Sequence, residues 1–232
     1  MRHRFVDVWQ ADLNQDAICP SKLTAVLSDR ERQRADTFQQ PQLRNRYIAV
    51  RAITRHVLAS YLSAQPADLQ FTLGEHGKPA LISDSLHFNI SHTDHLLLIA
   101  VGDLPDIGVD IELIKTRSNM DGMAKRCFAE SEFHFWQLLP EPLSQETFYR
   151  LWTKKEAFVK ATGRGIALGL NRCEVEPQIA GQLISIPGEY GMASDWKITE
   201  LPMVAGISAA LVTPNSEFAL GHKTFDADHA LA

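Results

Sequence analysis

The stretch LHFNISHTDHLLLIAVGDLPDIGVDIEL, residues 86–113, determines which fold the chain can adopt. Apolar and polar residues alternate over residues 86–90 and 107–113, and residues 96–101 are continuously apolar. Alternation of this kind is typical of a half-buried β-strand, and a short apolar run is consistent with a fully buried one. The stretch therefore predicts three consecutive strands that pair mostly antiparallel.

Helical patterns flank these strands on both sides. Ser28, followed three residues later by Glu31, forms a capping-box pattern that predicts a helix start. Apolar residues then recur at spacings of three and four from residue 41 to just before residue 66. Two further helices are predicted over residues 131–139 and 144–162, and Gly163 ends the second. Helices between mostly antiparallel strands predict an α+β fold.

The predicted elements fall into two successive groups, separated by a polar stretch over residues 115–123. We therefore expect an N-terminal half of residues 1–115 and a C-terminal half of residues 116–232. The last eighteen or so residues lack a strong pattern and are expected to form a loose tail.

Composition excludes several classes of function. The chain has 232 residues and a net charge of −5, which argues against a general nucleic-acid binder. The N-terminus resembles no signal peptide, and the run over residues 96–101 is too short to cross a membrane. Cys19, Cys127 and Cys173 lie far apart, with no metal-ligand spacing, and are expected to be reduced. We therefore expect a cytoplasmic protein that binds neither nucleic acid nor membrane.

Asp110 and Glu112 are the most informative pair of acidic residues. Residues two apart in a strand point to the same side, ~6.5–7 Å apart along the chain. Two carboxylates placed in this way repel each other unless a cation or a proton intervenes. Mg²⁺ takes one or a few carboxylates and leaves its other positions to water and phosphate. The alternative is an exposed polar face of an edge strand.

Glu156 lies on a predicted helix, on a broad face shared with Trp152, Lys155, Val159 and Lys160. This face combines a bulky aromatic residue with an acid and two bases, so it differs from an ordinary solvated surface. The alternative interpretation is a ladder of Lys–Glu ion pairs on an exposed helix.

Ser91 and His92 close the first strand of the quoted stretch. A nucleophile-and-base pair is disfavoured, because adjacent side chains seldom aim at each other and no Gly-x-Ser-x-Gly elbow surrounds them. Donation of hydrogen bonds to phosphate is the better hypothesis, and a turn held by Asn89 and Ser91 is the alternative.

Arginines are frequent between residues 30 and 55, and a guanidinium suits phosphate because it gives paired hydrogen bonds. Arg51 is the main candidate among them, since it follows an apolar segment. Lys78, in a glycine-flanked turn, could also reach a phosphate.

Four motifs follow one another in a specific order. They are Gly77-Lys78-Pro79, Phe88-Asn89-Ile90-Ser91-His92, Gly108-Val109-Asp110-Ile111-Glu112 and Trp152-Thr153-Lys154-Lys155-Glu156-Ala157-Phe158-Val159-Lys160. In this order they resemble the 4'-phosphopantetheinyl transferase superfamily. The chain length is similar to that of the larger single-chain, surfactin-synthetase-activating type. The resemblance spans residues 28 to 170 and fades beyond Gly169.

The resemblance implies a pseudo-dimer of two similar halves with a ligand cleft between them. It implies that Asp110, Glu112 and Glu156 hold Mg²⁺ and that coenzyme A is the substrate. The expected coenzyme A contacts are Lys78, Ser91, His92 and Lys160 at the phosphates, and Arg46 or Arg51 at the adenosine end. The expected partner is an apo acyl or peptidyl carrier protein, and the chain is expected to act as a monomer.

The implied reaction transfers the 4'-phosphopantetheine arm of coenzyme A to a serine of the apo carrier protein, giving holo carrier protein and 3',5'-ADP. Glu156 is the favoured base for the serine proton, directly or through water, and a water molecule held by the metal is the alternative. Lys160 would stabilise the developing negative charge. Candidates for carrier docking, by position, are Arg126, Phe128, Phe135 and Trp136, although core packing is the favoured interpretation for the last two.

Two other functions remain open at this point. A magnesium-dependent phosphohydrolase would use the three carboxylates to activate water, and a non-catalytic module would bind coenzyme A or a carrier without chemistry. The presence of Asp110, Glu112, Glu156 and Lys160 together favours an active enzyme.

Overall fold

The computed structural model describes residues 4–14, 20–83, 86–178 and 181–226. Helices and strands are mixed along these residues, as an α+β fold requires. The helices are α1 (Pro20–Ala25), α2 (Asp29–Asp36), α3 (Pro41–Leu62), α4 (Met120–Cys127), α5 (Glu130–Gln137) and α6 (Leu143–Ala161). The strands are β1 (Phe5–Asp12), β2 (Phe71–Leu73), β3 (Pro79–Leu81), β4 (His87–Thr93), β5 (Leu96–Gly102), β6 (Gly108–Leu113), β7 (Glu174–Val175), β8 (Leu183–Ser185), β9 (Trp196–Glu200), β10 (Ile207–Pro214) and β11 (Ala219–Thr224).

Two larger sheets form the framework. The first has the strand order β11-β1-β5-β4, in which β1 pairs antiparallel with β5 and parallel with β11. The second has the order β6-β10-β9 and is antiparallel. Two short hairpins, β2-β3 and β7-β8, complete the strand pairing in the described part of the chain.

One long helix supplies much of the core beside each sheet. In α3, Ile53, Val57 and Leu58 are buried and pack with apolar residues of β4 and β5. In α6, Phe148 and Phe158 are fully buried and pack with Ala210 and Val212 of β10. Burial of a large apolar side chain contributes about 1.5–3 kcal/mol, so these contacts fix the helices on their sheets.

Side chains rather than a backbone ladder join the two sheets. Backbone N–H groups of β6 at residues 109, 111 and 113 donate to the side-chain oxygens of Asn89, Ser91 and Thr93, over 2.9, 3.4 and 3.3 Å. Side chains two apart in a strand point to the same side. The side chains on one face of β4 can therefore accept hydrogen bonds from the backbone N–H groups along one edge of β6. The other edge of β6 pairs with β10.

The close approach of β6 to α6 depends on Gly108. A Cβ built on Gly108 would lie 2.0 Å from the carbonyl oxygen of Ala157 and 2.4 Å from the backbone nitrogen of Ala161. A side chain at this position would therefore push the strand and the helix apart. The glycine sets the separation between the strand that carries Asp110 and the helix that carries Glu156.

Most of the predicted elements are confirmed. The capping box at Ser28 is formed, α3 begins at Pro41 and α6 ends just before Gly163, which adopts a positive φ of 71°. The predicted strands over residues 86–113 are β4, β5 and β6. The stretch predicted as a linker, in contrast, contains the start of α4 at Met120.

The expectation of a loose C-terminal tail is wrong for the residues that the structure describes up to Phe225. Residues Ala219–Thr224 form β11 and pair in parallel with β1, with Phe5 opposite Ala219. The side chains of β11 are exposed or half-buried, so no apolar alternation marked it as a strand. Residues 227–232 lie outside the described part of the chain.

Strand pairing crosses the expected boundary between residues 115 and 116 in both directions. Strand β6 precedes the boundary and pairs with β10, whereas β11 follows it and pairs with β1. The division into two halves stays a prediction. Within the described residues, no helix is both long enough and apolar enough to cross a bilayer.

The variant Gly108→Ala tests the close contact between β6 and α6. Because the added methyl group would overlap the backbone of Ala157 and Ala161, we expect a loss of about 2 kcal/mol or more in the free energy of unfolding. Urea denaturation measures this loss. The matched control is Gly188→Ala, where a Cβ meets nothing within 4 Å. Equal stabilities of the two variants would contradict the assigned role of Gly108.

Candidate active site

A cavity of about 950 Å³ opens beside the end of β4. Its walls come from α2, α3, the β2-β3 hairpin, β4 and the last turn of α6. The wall includes basic, aromatic and hydroxyl side chains, among them Arg30, Arg34, Arg51, His92, Lys160, Tyr47, Phe71, Ser28 and Ser91. Several cations and two aromatic rings around one opening suit an anionic ligand with a flat ring system.

Glu31 is the acidic residue in this basic wall. Its carboxylate accepts hydrogen bonds from Arg51 Nε at 2.7 Å and from Arg55 Nε at 2.8 Å. Burial acts to raise the pKa of Glu31, but the charges of Arg51 and Arg55 and the backbone N–H of Ser28 outweigh it and hold the pKa below its usual value. Glu31 is therefore ionised and fully engaged with the two arginines.

A second polar cluster lies where β4, β6 and α6 meet. Lys160 Nζ donates to Asp110 Oδ1 at 2.6 Å and to Ser91 Oγ at 2.7 Å. Ser91 Oγ donates in turn to Asp110 Oδ1 at 2.8 Å. Ser91 and Lys160 also line the cavity, so this cluster forms its edge. Three predicted site residues, distant in sequence, are thus in direct contact.

Asp110 is buried rather than solvent-exposed, with 4% of its surface accessible. Burial raises the pKa of its carboxyl, against the opposing effects of Lys160 and Ser91. Its second oxygen, Oδ2, is buried and has no hydrogen-bond partner in the described part of the chain. The alternative interpretation, an exposed polar face of an edge strand, is therefore wrong for Asp110, because β4 covers it.

Glu112 and Glu156 extend the acidic cluster. Burial raises the pKa of Glu112, and the negative charge of Asp110 adds to this effect. Burial, together with the charges of Asp110 and Glu112, raises the pKa of Glu156 to about 7, although Lys160 opposes the shift. The three carboxylates therefore lie near enough to disfavour one another's ionisation.

The expected magnesium site is only partly formed by this arrangement. Among the described residues, no three side chains of His, Cys, Asp or Glu lie close enough together to hold a metal ion. The chemistry of the donors nevertheless fits a hard divalent cation. Asp110 Oδ2 is buried without a donor, and the neighbouring carboxylates repel one another, a repulsion that a cation would relieve.

The remaining basic candidates have different positions. Arg51 lines the cavity, and its guanidinium lies 5.2 Å from the centre of the Phe71 ring. His92 also lines it, and its pKa is lowered, first by desolvation and then by the charges of Arg46 and Lys160. Arg46 thus lies near His92, although it does not line the cavity wall.

Lys78 differs from the expected phosphate contact. Its ammonium donates to the carbonyl oxygens of Ile107 and Ala161, each at 2.9 Å, and it lines a separate cavity of about 240 Å³. Burial lowers the pKa of Lys78 to about 8, against the effect of Asp106. In this structure Lys78 therefore connects the carboxyl end of α6 with the residue that precedes β6.

Two of the four docking candidates belong to the core. Phe128 and Trp136 are buried and pack against each other and against Phe148. Core packing, the interpretation favoured for Trp136, is therefore confirmed, whereas the assignment of Phe128 to a docking surface is wrong, because its ring packs against Trp136 and Phe148. Arg126 is exposed and Phe135 is half-buried, so their part in docking stays a prediction.

Sequence reasoning missed three residues of the cavity. Tyr47 lies within the apolar periodicity of the helix predicted from residue 41, and nothing in the local pattern of Tyr47 or Phe71 indicates a binding site. Glu31 was assigned to a capping box, which is formed, but the second function of its carboxylate as the partner of two arginines was not foreseen. The large number of arginines in α2 and α3, compared with the few acids there, is the sequence feature that could have indicated this pairing.

Comparison with known proteins identifies the family. The sequence profile of the 4'-phosphopantetheinyl transferase superfamily matches residues 106–211, and a profile described as 4'-phosphopantetheinyl transferase, N-terminal, matches residues 17–103. The chain is 39% identical over 200 residues to the 4'-phosphopantetheinyl transferase HetI of Nostoc sp., which covers 84% of this chain and 82% of that protein. It is 32% and 30% identical to the transferases ffp and Sfp of Bacillus subtilis, over 73% of this chain and 75% of each relative.

The chain belongs to the 4'-phosphopantetheinyl transferase superfamily. The prediction of a transferase from the order of four motifs is therefore confirmed, and the two alternative functions are not favoured. The expectation that the resemblance fades beyond Gly169 is wrong, since the match extends to residue 211.

The raised pKa of Glu156 predicts how stability depends on pH. Because the folded pKa of about 7 exceeds the usual 4.5, the folded state binds the proton more tightly, and stability falls as pH rises from about 4.5 through 7. Glu156→Gln removes this loss. We expect the variant to be more stable than the parent by about 1–3 kcal/mol at pH 8 and to match it at pH 4. Urea denaturation in the presence of a chelator measures both. A variant that is less stable at pH 8 would contradict the clustering of the acids.

Proposed function

We propose that the chain transfers the 4'-phosphopantetheine arm of coenzyme A to a serine hydroxyl of an apo carrier protein and releases 3',5'-ADP. The observation that carries this proposal is the contact among Asp110, Ser91 and Lys160 at the edge of a basic cavity. The reaction needs a cation-rich site at a pyrophosphate and an acidic cluster beside it. The basic residues of the cavity wall and the neighbouring carboxylates support the assignment of both.

The cavity is the proposed binding site of coenzyme A. Its volume of about 950 Å³ lies within the usual range for sites of organic ligands. Arg51 and His92 are the proposed contacts for its phosphates, and Tyr47 and Phe71 offer apolar surface for the adenine ring. Ile90, which also lines the wall, would contribute apolar surface to the nucleotide pocket.

Asp110, Glu112 and Glu156 are the residues that would hold Mg²⁺. When bound, the ion neutralises charge on the pyrophosphate oxygens. The contribution of the chain itself is to place Lys160 beside the same oxygens, where its ammonium can donate to the leaving phosphate. Asp110 and Ser91 hold the ammonium of Lys160, and Lys160 lines the cavity, which supports this placement.

Glu156 is the proposed acceptor of the serine proton. A base works best when its pKa lies near the pH of the reaction, and burial with like charges raises the pKa of Glu156 to about 7. Glu156 and Lys160 lie four residues apart on α6, so they share one side of the helix. Proton acceptance and charge stabilisation would then act on the same substrate group.

The arrangement of secondary structure supports a pseudo-dimer with a cleft, although the two sheets differ in size. Each of the two halves proposed here, residues 1–115 and 116–232, would carry one long helix, α3 or α6, packed on antiparallel strands. Cys127 and Cys173 are free and buried, which agrees with the proposed cytoplasmic location. We propose that the enzyme acts as a monomer, with coenzyme A and the carrier protein as its partners.

Incubation with coenzyme A, Mg²⁺ and a panel of apo carrier proteins tests the function. We expect at least one carrier to gain the mass of a single phosphopantetheine arm in intact-mass spectrometry, and no gain when its serine is replaced by alanine. A chelator should abolish the gain, and excess Mg²⁺ should restore it. Release of 3',5'-ADP without any acceptor would instead indicate a phosphohydrolase, and binding without product would indicate a non-catalytic module.

The variant Asp110→Asn tests the acidic cluster. Asparagine keeps the size of the side chain but loses the charge that faces Lys160, so we expect kcat/KM for carrier modification to fall by about 100-fold or more. Asp121→Asn, on the exposed surface of α4, is the matched control and should leave the rate unchanged. Full activity of a folded Asp110→Asn protein would rule out the proposed metal site.

A further inference from the structure

Glu31 is bound on every side by donors. Its Oε1 atom accepts from Arg51 Nε at 2.7 Å and lies 2.6 Å from Arg51 Nη2. Its Oε2 atom accepts from Arg55 Nε at 2.8 Å and lies 2.7 Å from Arg55 Nη2. The backbone N–H and the hydroxyl of Ser28 donate to the same Oε2 atom, both at 2.9 Å. A carboxylate with this set of donors cannot itself receive a ligand.

The two arginines held by Glu31 differ in exposure. Arg55 is 1% exposed, and its Nη1 atom donates to the carbonyl oxygens of Pro66 and Leu69. The side chain of Arg51 is 15% exposed and lines the cavity. Within the part of the chain that the structure describes, no hydrogen bond uses Arg51 Nη1. Arg55 is therefore a buried anchor, whereas Arg51 still has a donor for the cavity.

Phe71 completes the arrangement from the other side. The guanidinium carbons of Arg51 and Arg55 lie 5.2 and 5.0 Å from the centre of its ring. Two like charges so close to one aromatic ring repel each other, and the charge of Glu31 between them offsets this repulsion. Without the charge of Glu31, we expect the guanidinium of Arg51 to turn toward solvent, because Glu31 is its ion-pair partner among the described residues.

We propose that Glu31 is a positioning residue, which presents the guanidinium of Arg51 to an anionic group of the nucleotide substrate. The inference rests on the proposed function for the identity of that nucleotide as coenzyme A. Arg30 and Arg34 line the same wall, so Arg51 would join two further guanidiniums there, beside the buried Arg55. Glu31 acts through Arg51 and touches no substrate atom.

Kinetics of carrier modification by Glu31→Gln test this role. Glutamine keeps the shape of the side chain but removes the charge that holds Arg51. We expect KM for coenzyme A to rise about 10-fold, which matches the loss of one charge-assisted hydrogen bond, with kcat changed by less than about 3-fold. The dissociation constant of coenzyme A, measured by calorimetry without turnover, should rise by the same factor.

Double variants separate positioning from a general loss of structure. Arg51→Met should raise KM for coenzyme A by a similar factor, and Glu31→Gln combined with Arg51→Met should be no worse than Arg51→Met alone. Arg51→Lys keeps the positive charge but lacks the planar guanidinium that donates two hydrogen bonds to Glu31. It should therefore show most of the same increase in KM for coenzyme A. If KM in the double variant rose by the product of the two single increases, Glu31 and Arg51 would act independently and the proposal would be overturned.

Two controls share the surroundings of Glu31. Asp36→Asn removes an exposed acid from the end of the same helix and should leave KM unchanged. Ala35→Gly weakens the same helix at a buried residue that does not line the cavity, so it should lower stability toward urea and leave KM unchanged. An increase of KM in Ala35→Gly equal to that in Glu31→Gln would show a merely structural role and overturn the proposal.

The proposed function and the positioning role fail in different ways. If the parent protein modified no carrier but bound coenzyme A, calorimetry on the same variants would still decide the role of Glu31. If Glu31→Gln kept the affinity and KM of an active parent, the positioning role alone would be wrong. If the parent bound no coenzyme A, both would fall together, and the failure would be visible in the parent itself.

Discussion

The site depends on the position of β6, which lies between a strand of polar side chains and a helix. Asn89, Ser91 and Thr93 of β4 accept the backbone N–H groups along one edge of β6, and Gly108 allows its start to touch α6. Backbone amides that leave water need a partner, so this edge cannot slide without losing three hydrogen bonds. The placement of Asp110 beside Lys160 follows from this fixed register.

Among the described residues, most buried charged side chains are paired with an opposite charge, whereas the acidic cluster contains more acids than bases. Glu31 is neutralised by two arginines, and Glu132 lies 2.6 Å from Lys155 with both side chains fully buried. At the cluster, Lys160 faces three carboxylates, and it contacts Asp110. Excess negative charge in a buried site is costly unless a cation or a proton neutralises it. The positive charge of Lys160 alone does not balance the three carboxylates, so the cluster favours binding of a cation or a proton.

Local patterns predicted the elements well and the contacts between them poorly. Capping at Ser28, the start of α3 at Pro41 and the alternation over β6 are properties of short segments, and each is confirmed. Strand β11 was missed because its side chains remain exposed or half-buried and leave no apolar period. The bonds of Glu31 to Arg51 and Arg55 span 20 and 24 residues, so no local rule could assign them. Motif order grouped Ser91, Asp110 and Lys160 correctly, whereas the partners of Lys78 depended on where α6 ends.

Helix α6 carries charged residues that anchor it in the core as well as charged residues of the candidate site, which explains its high density of charge. Lys154 is buried beside Glu200 at 2.6 Å, and Lys155 donates to the carbonyl oxygens of Leu170 and Cys173 as well as pairing with Glu132. Buried pairs contribute little net stability, but removal of one partner is costly, so they act mainly on geometry. Successive residues of a helix are separated by about 100° of rotation, so two lysines fixed in different directions set the rotation of α6 about its axis. With that rotation set, Glu156 and Lys160 face β6, and the side of the helix that carries these two candidate site residues is determined by lysines outside the candidate site.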